Sequence, residues 1–217
     1  MATATRTLQV SGAARAGTAA ARRRAQTVLV LVDFLNFMDF PTAPALAAHA
    51  VRAARHAARL KARLRRAGVP AIYANDNFGH WESDVDAIVA TCRERGGAAA
   101  ALAQLMAPQP GDRSVLKPRH SAFYGTPLDF LLDEIGARRL VLAGLTADSC
   151  VMFTAHDAYL RDYALWIPRD CVAAPQARHA RAALEHMARV LKATTSPSST
   201  PLRRVWPARA TRRRPAA

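Results

Sequence analysis

The chain has 217 residues, 51% of them hydrophobic, three cysteines and a formal net charge of +15. That length and apolar content suit one domain with a sizeable core, and the lack of an 18-residue apolar run argues against a helical membrane span. Three cysteines at unpatterned spacing argue against a disulfide framework and fit a reducing, cytoplasmic setting.

The positive charge is concentrated at the ends. Residues 1–26 and 193–217 hold eleven of the 31 basic residues and none of the 16 acidic ones, leaving residues 27–192 at +4. Both ends lack apolar periodicity, so they read as disordered basic tails around a domain at 27–192. They carry one aromatic, Trp206, and no nucleic-acid module, so no nucleic-acid partner is expected.

The domain opens on Thr27-Val28-Leu29-Val30-Leu31-Val32, a continuous apolar run of the kind found in strands buried on both faces, with Asp33 directly after it. A helix is predicted over 44–67. Leu46, Val51, Ala54, Ala58, Leu60 and Leu64 would cover the sheet, while Arg52, Arg55, Arg59, Arg63 and Arg66 face water. A strand at 70–75 and a helix at 83–95 follow, the helix stopped by Gly96 and Gly97. Ser114-Val115-Leu116 is a shorter apolar run ending in Lys117. Thr126, Pro127 and Asp129 mark a helix start, and Gly136 its end. Next comes the strand Leu140-Val141-Leu142-Ala143-Gly144-Leu145, which leads through Thr146-Ala147-Asp148-Ser149 into Cys150 and a helix over 151–159. A strand at 163–168 and a helix at 176–191 complete the alternation of a doubly wound, three-layer α/β/α domain with a mainly parallel sheet.

Three of these strands end in residues that matter chemically. Cys150 sits where a strand meets a helix, beyond the carboxyl end of the one and at the positive end of the other, which favours an exposed, thiolate-prone nucleophile. Asp33 and Lys117 reach the same sheet edge. The lysine favours the thiolate by charge, and the aspartate can take the thiol proton and return it to a leaving group. Each residue alone has a plainer explanation, in turn a local cap, a surface lysine and a small buried hydrophobe; their coincidence is what favours catalysis. Cys92 and Cys171 lack such neighbours and read as core sulfur. Asp148 is expected to hold the cysteine turn through backbone amides.

Gly144-x-x-x-Asp148-x-Cys150-Val151, the upstream Lys117-Pro118-Arg119-His120-Ser121-Ala122-Phe123 and the strand-terminal Asp33 together resemble the isochorismatase-like cysteine hydrolases, which include the nicotinamidases. The resemblance covers most of residues 27–192. It implies Asp33, Lys117 and Cys150 as a catalytic triad, a cis peptide between Leu145 and Thr146, and an oxyanion hole formed by the amides of Thr146 and Cys150. It also implies a homo-oligomer. Departures are visible too. Thr146-Ala147 reverses the Ala-Thr order of many members, and Leu35 stands where nicotinamidases commonly carry glutamine. Asn75-Asp76-Asn77-Phe78-Gly79-His80 lacks their metal-binding cluster, so no metal and no cofactor are expected.

Phe37, Phe78, Trp81, Phe123 and Tyr124 cluster near the motif loops and are candidates to wall a pocket for a small planar or acyl substrate, with ordinary core packing as the alternative. His80 and His120 lie nearby and are left out of the catalytic set. The function expected is cysteine-dependent hydrolysis of a small amide-type C–N bond through a thioester. Vinyl-ether hydrolysis of isochorismatase type and a non-catalytic binding protein of the same fold are the alternatives, the first disfavoured because such members characteristically lack the cysteine.

Overall fold

The computed structural model describes residues 26–81 and 83–207. Strand β1 (Thr27–Val32) is buried at every position. Leu29 and Leu31 enter one apolar core, and Val28, Val30 and Val32 enter the other. A strand covered on both faces has no polar side to present, hence the unbroken apolar run.

β1 lies parallel between β2 (Ala71–Asp76) and β4 (Arg139–Leu145). β3 (Arg113–Lys117), β5 (Ala164–Trp166) and β6 (Val172–Ala173) complete a sheet of order β3-β2-β1-β4-β5, with β6 also paired to β4. Helices α1 (Ala43–Arg66), α2 (Val85–Arg95) and α3 (Gly97–Met106) cover one face. The other is covered by α4 (Leu128–Ile135), α5 (Cys150–Leu160) and α6 (Ala177–Val190). This is the three-layer α/β/α arrangement with a parallel sheet that the alternating pattern predicts.

Helix α1 follows its apolar stripe, burying Leu46, Ala50, Ala53, Ala57, Leu60 and Leu64 at three- and four-residue steps. Arg63, expected in water, is half-buried, and its guanidinium donates to the carbonyls of Ser198 and Thr200. Helix α3 was not anticipated. The glycine pair does end α2, with Gly96 at φ +72°, but Gly97 immediately opens a new helix. Its alanine run gives almost no contrast between faces, so the pattern carries no period to read.

The domain also extends past its expected limit. Instead of beginning a tail at 193, the chain docks on the fold through the end of the described region. Thr194 bridges to Trp166, whose indole N–H donates to the Ser196 carbonyl. Asp170 accepts from the Ser198 amide and hydroxyl, each at 2.7 Å. A short helix α7 (Leu202–Val205) buries Val205 and sets Trp206 edge-on to Trp166. The lack of apolar periodicity made this stretch read as a disordered tail, whereas its order comes from backbone pairing, the Asp170 contacts and two apolar anchors. The expected tails at 1–25 and 208–217 fall outside the described residues.

Ending the chain after Lys192 should therefore cost at least about 3 kcal/mol of stability, from the lost burial of Val205 and Trp206 and the unpaired Trp166 and Asp170. Ending it after Pro207 keeps all of these contacts. Urea unfolding of the two shortened chains checks this: equal midpoints would show that the segment contributes nothing.

Candidate active site

The sheet brings the candidate site residues together by register. Val32, the last residue of β1, pairs with Ala74 on one side and Gly144 on the other, and Asp76 at the end of β2 pairs with Lys117 at the end of β3. Asp33, Asp76, Lys117 and Cys150 are thereby brought to one edge. Gly144 makes the approach possible, because at its φ of +154° a Cβ would fall 2.1 Å from the Val32 carbonyl oxygen. The strand leading to the cysteine thus needs glycine there.

Lys117 is fully buried, a costly place for a charge unless it is paired. Its ammonium lies 2.8 Å from Asp33 Oδ2 and 3.7 Å from Asp76 Oδ2, donates to the Arg119 carbonyl at 3.2 Å, and stands 3.6 Å from Cys150 Sγ. Asp33, also buried and held in the left-handed region at φ +49°, accepts the Asp76 amide at 2.7 Å through Oδ1. The Asp33 carboxylate lies close enough to the Cys150 thiol for its charge to act on it. His120 Nδ1 stands 3.7 Å from the sulfur, and its ring stacks on Phe153.

Burial pushes the Asp33 carboxyl up from its ordinary value, with Lys117 opposing. Burial alone would lower Lys117; the charges of Asp33, Cys150 and Asp76 reverse this and leave it raised, so the ammonium is fully charged at neutral pH. The Cys150 thiol is pushed up to about 12, by burial first and the Asp33 carboxylate second, against the pull of Lys117. This corrects the expectation of a thiolate-prone cysteine. At rest the thiol form is favoured, and the raised Asp33 carboxylate beside it is a group that can accept its proton.

A consequence is a defined alkylation profile. Iodoacetamide should modify Cys150 alone in the native protein, because Cys92 and Cys171 are fully buried. Its rate should be slow at pH 7 and rise roughly tenfold per pH unit up to about pH 10, since the thiolate fraction grows in proportion while the pKa stays above the range. Peptide mass spectrometry across pH measures it. A plateau below pH 9 would show a low-pKa thiolate and contradict burial as the dominant influence on this sulfur.

The peptide between Leu145 and Thr146 is cis. Among the described residues, the amides of Thr146 and Cys150 donate to no backbone carbonyl, which leaves both free for a substrate oxygen. Asp148 does not hold the turn through amides; its carboxylate faces His179 Nδ1 at 3.8 Å.

A cleft of about 700 Å³ opens at this edge, lined by Asp76, Asn77, Trp81, Arg119, His120 and Tyr124 among others. Two of the five predicted pocket aromatics are therefore in place, Trp81 at 77% and Tyr124 at 63% exposure. Phe37 and Phe78 stack on each other 3.8 Å apart and pack against the α1 side of the core. Phe123 is a core residue, 5% exposed between Tyr163 and the Arg161 guanidinium; it sits within the turn at 122–125, whose buried side the sequence does not mark. Asp76 was missed as a site residue, although it closes β2 as Asp33 follows β1, and the same strand-end logic finds it.

The segment where nicotinamidases carry metal ligands does not fit a metal. Both polar ends of the Asn75 side chain are spent on the Leu35 backbone, at 3.1 and 2.7 Å, and Asn77 Oδ1 accepts the Gly79 amide. Leu35, in place of glutamine, is buried in the core.

The family profile described as Isochorismatase domain matches residues 27–198. The isochorismatase family protein YaaI of Bacillus subtilis is 35% identical over 168 residues, 77% of this chain and 92% of that protein. Maleamate amidohydrolase of Pseudomonas putida is 31% identical over 152 residues, 66% of this chain and 70% of that enzyme. Among solved structures, N-carbamoylsarcosine amidase of Thermoplasma acidophilum superposes with a TM-score of 0.60 at 28% identity, covering 81% of this chain and 98% of that one.

Proposed function

The chain belongs to the isochorismatase family, and from that premise we propose that it is a cysteine-dependent hydrolase of a small amide-type C–N bond. Hydrolysis of non-peptide C–N bonds is the activity named for its amidohydrolase and amidase relatives. The observation that carries the cysteine route is one half-buried thiol 3.6 Å from a buried ammonium that is itself paired at 2.8 Å with a buried carboxylate.

The steps follow from where protons can go. Asp33 takes the Cys150 proton as sulfur attacks the carbonyl carbon, and the displaced electron pair goes to the oxygen between the Thr146 and Cys150 amides. When the tetrahedral species collapses, Asp33 returns that proton to the departing nitrogen, leaving a thioester on Cys150. Asp33 then deprotonates a water, which attacks the thioester, and the proton returns to the sulfur as the acid leaves. Lys117 keeps its proton throughout; it offsets the Asp33 charge and stabilises the developing thiolate. No step calls on a metal or a cofactor.

The cleft bounds the substrate. Trp81 and Tyr124 offer flat apolar surface, while Asp76 presents a carboxylate that can accept N–H groups and Arg119 a cation. A small planar carboxamide, ureide or carbamate fits this lining. The test is a panel of these three classes assayed for released ammonia, with reactions quenched for mass spectrometry of the Cys150 peptide. Turnover with an acyl adduct on that peptide is expected; turnover in which no adduct ever forms would remove the thioester route.

A further inference from the structure

Helices α5 and α6 meet at two histidines that the proposed reaction does not use. His156 Nε2 and His186 Nε2 are 3.2 Å apart, and both side chains are half-buried. The tautomer of His156 is fixed locally. Its Nδ1 lies 2.8 Å from the carbonyl of Met152, one turn earlier, and a carbonyl can only accept, so Nδ1 carries the proton and Nε2 presents a lone pair.

From this we propose that His156 and His186 chelate a transition-metal dication of the zinc, nickel or copper(II) class. Two imidazoles bound at about 2.0–2.1 Å in a tetrahedral site place their nitrogens roughly 3.3 Å apart, close to the separation seen. The ring centroids are 5.2 Å apart and the planes tilted by 32°, closer than an in-line contact between the rings would leave them. The ring axes therefore bend off the line joining the nitrogens, which a shared ion requires. The Nδ1–H bond to a backbone carbonyl is the usual outer support of a metal-bound histidine, fixing ring and tautomer together. Imidazole pairs suit zinc, nickel and copper, whereas magnesium and calcium prefer oxygen. Among the described residues no group of three or more His, Cys, Asp or Glu is placed to hold an ion, so the pair would rely on solvent for the remaining positions. An ion here ties α6 to the helix that begins at Cys150, one and a half turns from the nucleophile.

The experiment is calorimetric titration of nickel(II) into the full chain, free of any affinity tag and carrying Cys150→Ser so that the site thiol cannot compete. One ion per chain is expected. His156→Asn and His186→Asn should each weaken binding at least tenfold, while His49→Asn and His179→Asn leave it unchanged. Copper(II) titration followed by electron paramagnetic resonance, in which the two helices are left unaltered, should show two equatorial nitrogens. No binding, binding that survives both asparagine variants, or fewer than two coordinated nitrogens would reduce the contact to a neutral histidine–histidine hydrogen bond.

Discussion

Cys150→Ser is expected to lose at least two orders of magnitude in kcat on any amide-type substrate, with little change in folding stability. The size of the loss follows from the proton balance. A thiol pushed up to about 12 can still be deprotonated by a neighbouring carboxylate whose own affinity for protons is raised. An alcohol is a far weaker acid, and the same carboxylate cannot ionise it at useful cost. Serine is close in volume, and the site is only half-buried, so packing survives the exchange. Cys92→Ser and Cys171→Ser provide the contrast. Both sulfurs lie in the apolar core on the α1 side of the sheet, and replacing either should cost stability while leaving kcat within a few-fold. Ammonia release and urea midpoints for the three variants decide the matter. Turnover by Cys150→Ser within tenfold of the parent would mean that some other group attacks the substrate.

The edge that carries the candidate site was legible because a parallel sheet fixes direction: every strand points the same way, so a residue just past an apolar run lies at the same edge as its counterparts on other strands. That argument places Asp33, Lys117 and Cys150 without any side-chain information. What it cannot supply is their protonation. The thiolate expectation weighed a helix terminus and a lysine and had no measure of burial, yet burial is the largest influence on Cys150. Phe123 fails for a related reason, since nearness to a motif in sequence says nothing about which side of a turn faces the core. The packed segment after residue 192 was hidden differently. Its main anchors, Arg63 and Asp170, bind backbone groups and a serine hydroxyl, and such pairing leaves no mark on composition.

Lys117→Met is expected to destabilise the fold by about 3–5 kcal/mol at pH 7, the usual cost of removing one partner from a buried ion pair, and to abolish turnover. Methionine matches much of the lysine stem, so lost packing is a small part of the effect; the larger part is the Asp33 carboxylate left buried without its cation. The pH dependence of the deficit carries the diagnosis. Burial already raises Asp33, and without Lys117 nothing of comparable size opposes it, so its folded-state pKa climbs further above the unfolded value. A group with a raised folded pKa binds more protons when folded, so its favourable contribution is complete below the unfolded pKa and is lost as pH rises through the folded one. The variant should therefore approach the parent in stability on acidification and diverge from it as pH rises through the folded pKa of Asp33. Adding Asp33→Asn removes the stranded charge. The double variant should recover most of the lost stability at pH 7 and none of the activity, a strong coupling on a double-mutant cycle. Urea unfolding at several pH values measures both. A deficit for Lys117→Met that is independent of pH, or a double variant no more stable than the single, would show that Asp33 and Lys117 are not a mutually dependent buried pair.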